Sequence, residues 1–383
     1  MCDTEPMSLS LPADPPRARS LVRVLPEVID ALSGSSTWFA PARSAILLVV
    51  DGLGAANLAA RSGHARFLAT AGGKRDVART VFPSTTAAAL TSLLTGAAPG
   101  EHGILGYRVR VPGAQDTVNQ LKGWETDGLD PHSWQRLEPL LAREAKRGRP
   151  CFVVSHAKYA GTGFTEAILR GAEFVVAADI ADRALLAADL AASHPGALVY
   201  LYAPDLDSVG HKHGWESERW TAALEKVDAA ARSLSDALDG GTGVVVTADH
   251  GMIDVPKQRQ VLLEAGDAVL DGVDMIGGEP RMLHLYAEPG AAEGLLEVWR
   301  STESGRSWVA SRDEAIAAGL FGPVVDPAVR ERIGDVVVGA RSGIVYYDDR
   351  AADKGPQRMV GQHGSLTDEE RIVPLLRLGA FAG

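Results

Sequence analysis

Three short apolar runs, each ending on an acidic residue, constrain this chain more than any other feature. AILLVVDG places Asp51 after the first run. ALVYLYAPDLDSVGH places Asp207 and His211 after the second, and GVVVTADHGM places Asp249 and His250 after the third. Continuous Val, Ile and Leu over so few residues reads as a strand buried on both faces, the habit of a parallel sheet covered by helices. In open α/β sheets, ligands bind just beyond the carboxyl ends of such strands. Residues far apart in sequence are thus expected at one rim of one sheet. There they form a cluster of carboxylates and imidazoles, the donor set a pair of divalent ions requires.

The rest of the chain fits an α/β reading. The patterns predict a short helix over 25–32, a strand over 45–50, and helices over 55–60 and 87–94. CFVVS (151–155), FVVAA (174–178), 198–203 and 243–248 read as further strands, with helices over 180–192 and 216–238. The last helix carries Trp220, Leu224, Val227, Ala231 and Leu234 on one stripe. After Met252 the alternation becomes irregular. Residues 256–350 read as an inserted mixed α+β cap. Residues 21–255 and 351–383 read as the catalytic α/β core, and 1–20 as a flexible tail.

Composition narrows the function. A chain of 383 residues that is 46% hydrophobic and 23% charged has enough apolar surface for a large core. The net charge of −11 argues against a nucleic-acid polymer as partner. It leaves room for a small phosphate ester, because bound cations set the local field. Two cysteines, Cys2 and Cys151, give no disulfide framework. The N-terminal segment has prolines and acids but no apolar core of a signal peptide, and no run is long enough to span a bilayer. The expected location is cytoplasmic, with no membrane partner. Oligomeric state is not legible.

The candidate ligands are three aspartates (51, 207, 249) and three histidines (211, 250, 363). Asp207 and His211 share a helical face or a turn at D-x-x-x-H spacing. Asp249 and His250 are adjacent on extended chain and need a sharp turn to converge, which Gly251 allows. His363 lies in GQHGS, a loop able to reach the same rim. Mixed imidazole and carboxylate ligands suit zinc, with manganese as the second option. Two ions about 4 Å apart clamp the attacking and leaving oxygens of an in-line displacement. A hydroxyl at a helix start would complete the set as nucleophile. PSTTAAALTS supplies Ser84, Thr85 and Thr86 at such a start, and local chemistry does not choose among them. Ser and Thr there are also ordinary helix caps.

These motifs together resemble a known family. DG at 51–52, FPSTT with LTG and PGEHGI across 82–104, PDLDSVGHKHG at 204–214, TADHGM at 247–252 and QHGS at 362–365 occur in the order of the alkaline phosphatase superfamily. The type I phosphodiesterase/nucleotide pyrophosphatase branch is the nearest likeness. The resemblance implies an alkaline-phosphatase-like three-layer sandwich with a mainly parallel central sheet. It implies one ion on Asp207, His211 and His363, and another on Asp51, Thr86, Asp249 and His250. The family places its nucleophile ten residues before the glycine of its TG pair, here Gly96, which selects Thr86. The implied activity is hydrolysis of phosphodiester or pyrophosphate bonds in small substrates through a phosphothreonine. A phosphomonoesterase, a phosphonate hydrolase and a non-catalytic metal-binding module are the alternatives.

Two departures bear on substrate. The diesterases place their threonine directly before Phe-Pro, whereas Val81 precedes Phe82-Pro83 here. They also carry a phosphate-binding Asn after HGI, where this chain has Gly106 and Tyr107. Tyr107 is therefore a candidate phosphate contact through its hydroxyl. His156 and Lys158, beyond the strand 151–155, are candidate substrate contacts on the active edge. Asp205 is the rival of Asp207, and Thr85 that of Thr86. His213, His64, His194 and His102 read as surface or structural residues, Trp215 and Trp220 as packing. His284 in the cap, Arg170 and Arg281 have only a weaker claim on the cleft.

Overall fold

The computed structural model describes residues 11–382. Eleven strands organise it: β1 (Ser44–Val50), β2 (Val77–Arg79), β3 (Cys151–Ser155), β4 (Glu173–Val176), β5 (Leu198–Ala203), β6 (Thr242–Thr247), β7 (Val273–Glu279), β8 (Met282–Ala287), β9 (Ser307–Ser311), β10 (Val336–Ala340) and β11 (Ile372–Gly379). The main sheet runs β2-β11-β6-β1-β5-β3-β4. The pairs β6-β1, β1-β5, β5-β3 and β3-β4 are parallel, and β11 joins antiparallel to β6 and β2. Every residue of β1, β5 and β6 is buried. That burial explains why these strands read as unbroken apolar runs rather than alternations.

Register decides where the acids emerge. Val50 lies opposite Ala203, and Val49 opposite Thr247. The three central strands therefore end level, and the chain segments carrying Asp51, Asp207 and Asp249 leave the sheet side by side. Helix α1 (Thr86–Thr95) is buried along its whole length. Helix α2 (Asp205–His213) starts directly after β5. Helix α3 (Glu218–Asp236) buries Trp220, Leu224, Val227, Ala231 and Leu234 on the expected stripe. It packs against the helix Ile180–Ser193, which in turn covers β1, β3 and β5.

A second, antiparallel sheet of order β7-β8-β10-β9 is built from residues after 272. Its side chains alternate between two cores, as the strand period of two requires. Leu283, Leu285, Val336 and Val338 pack with Leu295 and Trp299 of the helix Ala292–Glu303. Met282 and Val337 join the core of the main sheet instead. Glu279 and Arg281 flank the tight β7–β8 turn, whose two strands still pair at Glu279 and Met282.

Residues 1–10, with Cys2, lie outside the described residues, but 11–20 are held to the body. Arg371 donates to both carboxylate oxygens of Asp14, and Arg79 N–H donates to the Arg19 carbonyl at 2.7 Å. The strand expected at 174–178 instead spans Glu173–Val176 and is a half-exposed edge. Cys151 is buried and, among the described residues, unpaired. Among the described residues no helix is long and apolar enough to cross a membrane.

Candidate metal centre and active site

Two clusters form at the rim. Asp207, His211 and His363 make one; Asp51, Asp249 and His250 make the other. In the first, His211 Nε2 lies 3.3 Å and His363 Nε2 3.7 Å from Asp207 Oδ1. In the second, His250 Nε2 lies 3.5 Å from both Asp51 Oδ1 and Asp249 Oδ2. The His250 and His363 rings stack at 3.6 Å between centroids, so the clusters are neighbours.

Each donor is held from behind. Nδ1 of His211 meets the Gly361 carbonyl at 2.8 Å, Nδ1 of His250 the Gly251 carbonyl at 3.1 Å, and Nδ1 of His363 the Ser84 carbonyl at 2.9 Å. A carbonyl only accepts, so all three rings carry their proton on Nδ1 and turn the Nε2 lone pair into the cluster. The carboxylates follow the same rule. Tyr202 donates to Asp51 Oδ2, while Gly52 N–H (3.2 Å) and His250 N–H (3.0 Å) donate to Asp249 Oδ1. The remaining oxygens, Asp51 Oδ1, Asp207 Oδ1 and Asp249 Oδ2, are buried without a hydrogen-bond partner among the described residues.

The donor set fits divalent cations. Two Nε2 lone pairs face each other at 3.3 Å, between His211 and His363, which is repulsive unless a cation lies between them. Burial, then the charges of Asp249 and Asp207, holds the Asp51 carboxyl well above the usual carboxylate range in the ion-free protein. Burial, then His250 and His211, holds His363 well below the usual imidazole range. All these shifts express the cost of crowding like groups in a low-dielectric rim. Ligands that are neutral imidazoles and paired carboxylates, oriented by outer hydrogen bonds, are the pattern of a metal site.

Glycines let the loops converge. Gly52 has φ 76°, and a Cβ there would come 3.1 Å from the Asp207 Cα. A Cβ on Gly251 would overlap the Glu369 carbonyl oxygen, so only glycine lets the Asp249–His250 turn abut the segment that carries His363.

The three hydroxyls before α1 separate by contact. Ser84 Oγ donates to the Ser365 carbonyl at 2.7 Å and accepts from Gly364 N–H, which pins the His363 loop. Thr85 is the helix cap residue, yet its side chain makes no capping bond. Thr86 Oγ1 lies 3.2 Å from His250 Nε2 at the first turn of α1. A cavity of about 780 Å³ opens over these groups, and Asp51, Thr86, Asp207, His211 and His363 line it.

A model of the type I phosphodiesterase / nucleotide pyrophosphatase family matches residues 45–366. The chain belongs to that family. Ectonucleotide pyrophosphatase/phosphodiesterase 1 of Saccharomyces cerevisiae is 32% identical over 77 residues, which is 17% of this chain and 10% of that protein. The match to this curated relative thus spans a tenth of its length. Among solved structures, murine ectonucleotide pyrophosphatase/phosphodiesterase 5 superposes with TM-score 0.67 at 17% identity, over 87% of each chain. An inactive form of that murine protein carries AMP. Phosphonoacetate hydrolase from Sinorhizobium meliloti, in complex with phosphonoacetate, superposes with TM-score 0.66 at 18% identity, over 88% of this chain and 91% of the other. At these identities the superpositions establish a shared α/β fold.

Other residues of this family member fall into two groups. Tyr107 and Lys158 line the cavity, and the Lys158 ammonium lies 4.8 Å over the Tyr159 ring. His156 is not among the residues lining that cavity; its Nδ1 accepts from Lys158 N–H at the start of a short helix. Asp205 pairs with the buried Arg183 at 3.1 Å and belongs to neither cluster. His284 accepts from Gly334 N–H on Nδ1 and meets the Leu105 carbonyl through Nε2, away from the cavity. His102 is buried, with Nε2 2.8 Å from Ser92 Oγ, and burial drops it to about 3. Arg281 is fully buried against Glu370, and Arg170 donates to the Ala167 carbonyl. His64 pairs with Glu225, His213 meets Arg219, and His194 approaches the Leu190 carbonyl.

The sequence reading missed two cavity-lining groups. Tyr202 orients Asp51, and its place as the penultimate residue of β5 is the only signal the sequence offers. Glu279 is a buried acid contributed by the second sheet, in a segment with no motif.

Proposed function

We propose that this protein is a metal-dependent hydrolase of phosphodiester or pyrophosphate bonds in small substrates, with Thr86 as the attacking group. The observation that carries this reading is the convergence of three unpartnered carboxylate oxygens and three Nε2 lone pairs beside the Thr86 hydroxyl. A structural zinc site is closed and needs only four ligands. This one has more donors and opens onto a cavity.

Asp207, His211 and His363 would hold one divalent ion, and Asp51, Thr86, Asp249 and His250 the other. Zinc suits the donors best, with manganese second. When bound, two such ions supply positive charge for the attacking and leaving oxygens of an in-line displacement. The residues do the rest. Thr86 stands at a helix N-terminus, where the macrodipole favours negative charge on its oxygen. The Thr86 hydroxyl gives its proton to solvent as its oxygen attacks phosphorus, and the leaving-group oxygen departs with the bonding electron pair, leaving a phosphothreonine. Water then attacks the same phosphorus from the opposite side and loses a proton, the Thr86 Oγ1–P bond breaks with its electron pair on Oγ1, and Oγ1 takes up a proton to restore Thr86. Positioning and charge stabilisation account for most of the rate in such chemistry.

Residues 256–350 would act as a cap that sets specificity over the core of 21–255 and 351–383. The substrate is a small soluble ester in the cytoplasm, not a nucleic-acid polymer, consistent with a net charge of −11. A phosphomonoesterase or phosphonate hydrolase is the second reading. Tyr107 favours it, because diesterases of this family carry Asn there, and so does the fold shared with phosphonoacetate hydrolase.

The test is turnover of bis(4-nitrophenyl) phosphate and 4-nitrophenyl phosphate by zinc-reconstituted protein. The diester should be the better substrate. Thr86→Ala should lose roughly 10³-fold or more in kcat while the metal content holds. Faster monoester turnover reverses the order of the two readings. A protein loaded with two metals and inert to both esters overturns the hydrolase reading.

A further inference from the structure

Glu279 is a buried acid that the proposed reaction does not use. It is 7% exposed, lines the cavity and enters it from the β7–β8 turn. Its Oε2 accepts the Tyr107 N–H at 2.9 Å. Its Oε1 is buried with no hydrogen-bond partner among the described residues. Among the described residues no cationic side chain pairs with it. The one arginine on the same turn, Arg281, spends its donors on Glu370 and on the Ala340, Ser342 and Ile344 carbonyls. A buried carboxyl without a positive partner is held in its neutral form. Burial pushes Glu279 up to about 8, and the Tyr107 N–H at Oε2 opposes that rise.

Its neighbours place it beside the two segments that carry Thr86 and His363. Thr85 directly precedes Thr86. On the other side, a Cβ on Gly364, the residue after His363, would come 2.6 Å from Glu279 Cγ. The carboxyl therefore sits between the residue before the hydroxyl and the residue after one candidate ligand. The Tyr107 N–H, at the place where the diesterases carry their phosphate-binding Asn, is consumed by Glu279 and unavailable to substrate.

We propose that Glu279 is a further substrate contact, donating a hydrogen bond from Oε1 to a non-bridging oxygen of the phosphoryl group. The inference rests on the hydrolase reading above. A phosphoryl oxygen only accepts, so a carboxylate in this place would repel it and a carboxylic acid would bind it. Since Oε2 already accepts an N–H, the proton belongs on Oε1, the oxygen that has no partner. A neutral donor adds a contact without adding negative charge to a cavity already lined by Asp51 and Asp207. Carboxylic acids kept neutral by an apolar site serve as such donors elsewhere.

The experiment compares wild type with Glu279→Gln and Glu279→Met in zinc-loaded protein at pH 7. Calorimetry reads the affinity for inorganic phosphate and for vanadate, and metal analysis is done on each sample. Gln keeps a donor at the same reach, so E279Q should bind both anions within about threefold of wild type. E279M removes the donor and should bind them about 10- to 100-fold more weakly, the range for a hydrogen bond to a charged group. Both variants should carry wild-type metal. Equal weakening in E279Q and E279M with metal intact means that a carboxylate is needed, and overturns the donor role. Wild-type affinity in E279M overturns the contact. If E279M does not fold, E279Q alone decides, since a loss there contradicts the proposal and retention supports it. Failure of the hydrolase reading looks different: wild-type protein with two metals would neither bind phosphate nor hydrolyse the diester.

Discussion

At the scale of single residues, the candidate site is defined by which atom of each side chain is left free. Backbone carbonyls take Nδ1 of all three histidines, and donors take one oxygen each of Asp51 and Asp249. The free atoms all face inward. Glu279 obeys the same logic with the opposite charge state, and this has a consequence for stability. Its folded value of about 8 lies above the ordinary glutamate value of 4.5. The folded protein therefore binds more protons than the unfolded chain between these two values. Stability from this group is fully present below about 4.5 and is lost as pH rises through about 8. The charge of Glu370 adds to the shift, and Glu370 is itself paired with Arg281. Glu279→Gln avoids burying a charge. In chelated protein it should be more stable than wild type at pH 9 by roughly 1–3 kcal/mol, and near neutral in effect at pH 5. Urea denaturation at the two pH values measures this. Equal effects at both values would mean that Glu279 is already ionised in the fold.

At the scale of elements, strand ends were legible and their supports were not. The runs at β1, β5 and β6 stand out because burial on both faces leaves no polar interruption. The acids at their ends stand out for the same reason. Likewise α3 shows its stripe because one face alone is buried. Glu279, Arg281 and Glu370 carry no such pattern. Their environment exists only once the β7–β8 turn meets the 361–371 segment, a pairing no local period encodes. The contact between Asp14 and Arg371 has no local signature, because the two residues lie more than 350 positions apart. Arg281 and Glu370 are both fully buried and form a bidentate pair. Glu370 Oε1 also accepts the Ser365 N–H, two residues beyond His363. The pair thus fastens the second sheet to the loop of a candidate ligand. Glu370→Gln leaves the Arg281 charge buried without its counter-ion and should cost about 3–5 kcal/mol. Zinc titration should then find one of the two ions bound more weakly than in wild type, and the other unaffected. A stable E370Q protein with unchanged titration would separate this ion pair from the metal centre.

At the scale of the whole molecule, the question is whether the ions hold the fold together or only complete it. One apolar cluster runs from Leu21 to Phe381 and takes in every strand of the main sheet except the edge strand β4. The two candidate ion sites lie at the rim of that sheet, outside the cluster. A fold of this kind does not wait for its metals, in contrast to small domains whose core is the metal itself. The ions still matter to stability, because a ligand that binds only the folded state adds about 4 kcal/mol per site at a thousandfold excess over Kd. Ions bound there would also relieve the crowding that holds Asp51 well above its usual range. Chelation should therefore lower the melting temperature but leave the far-UV circular dichroism at 25 °C unchanged. Zinc should restore the melting temperature in a concentration-dependent way, in two steps if the sites differ in affinity. If chelation at 25 °C instead abolished the helical signal, the clusters would be structural sites in a chain whose core is insufficient by itself. The catalytic assignment of Thr86 would then need a justification other than an open, preformed rim.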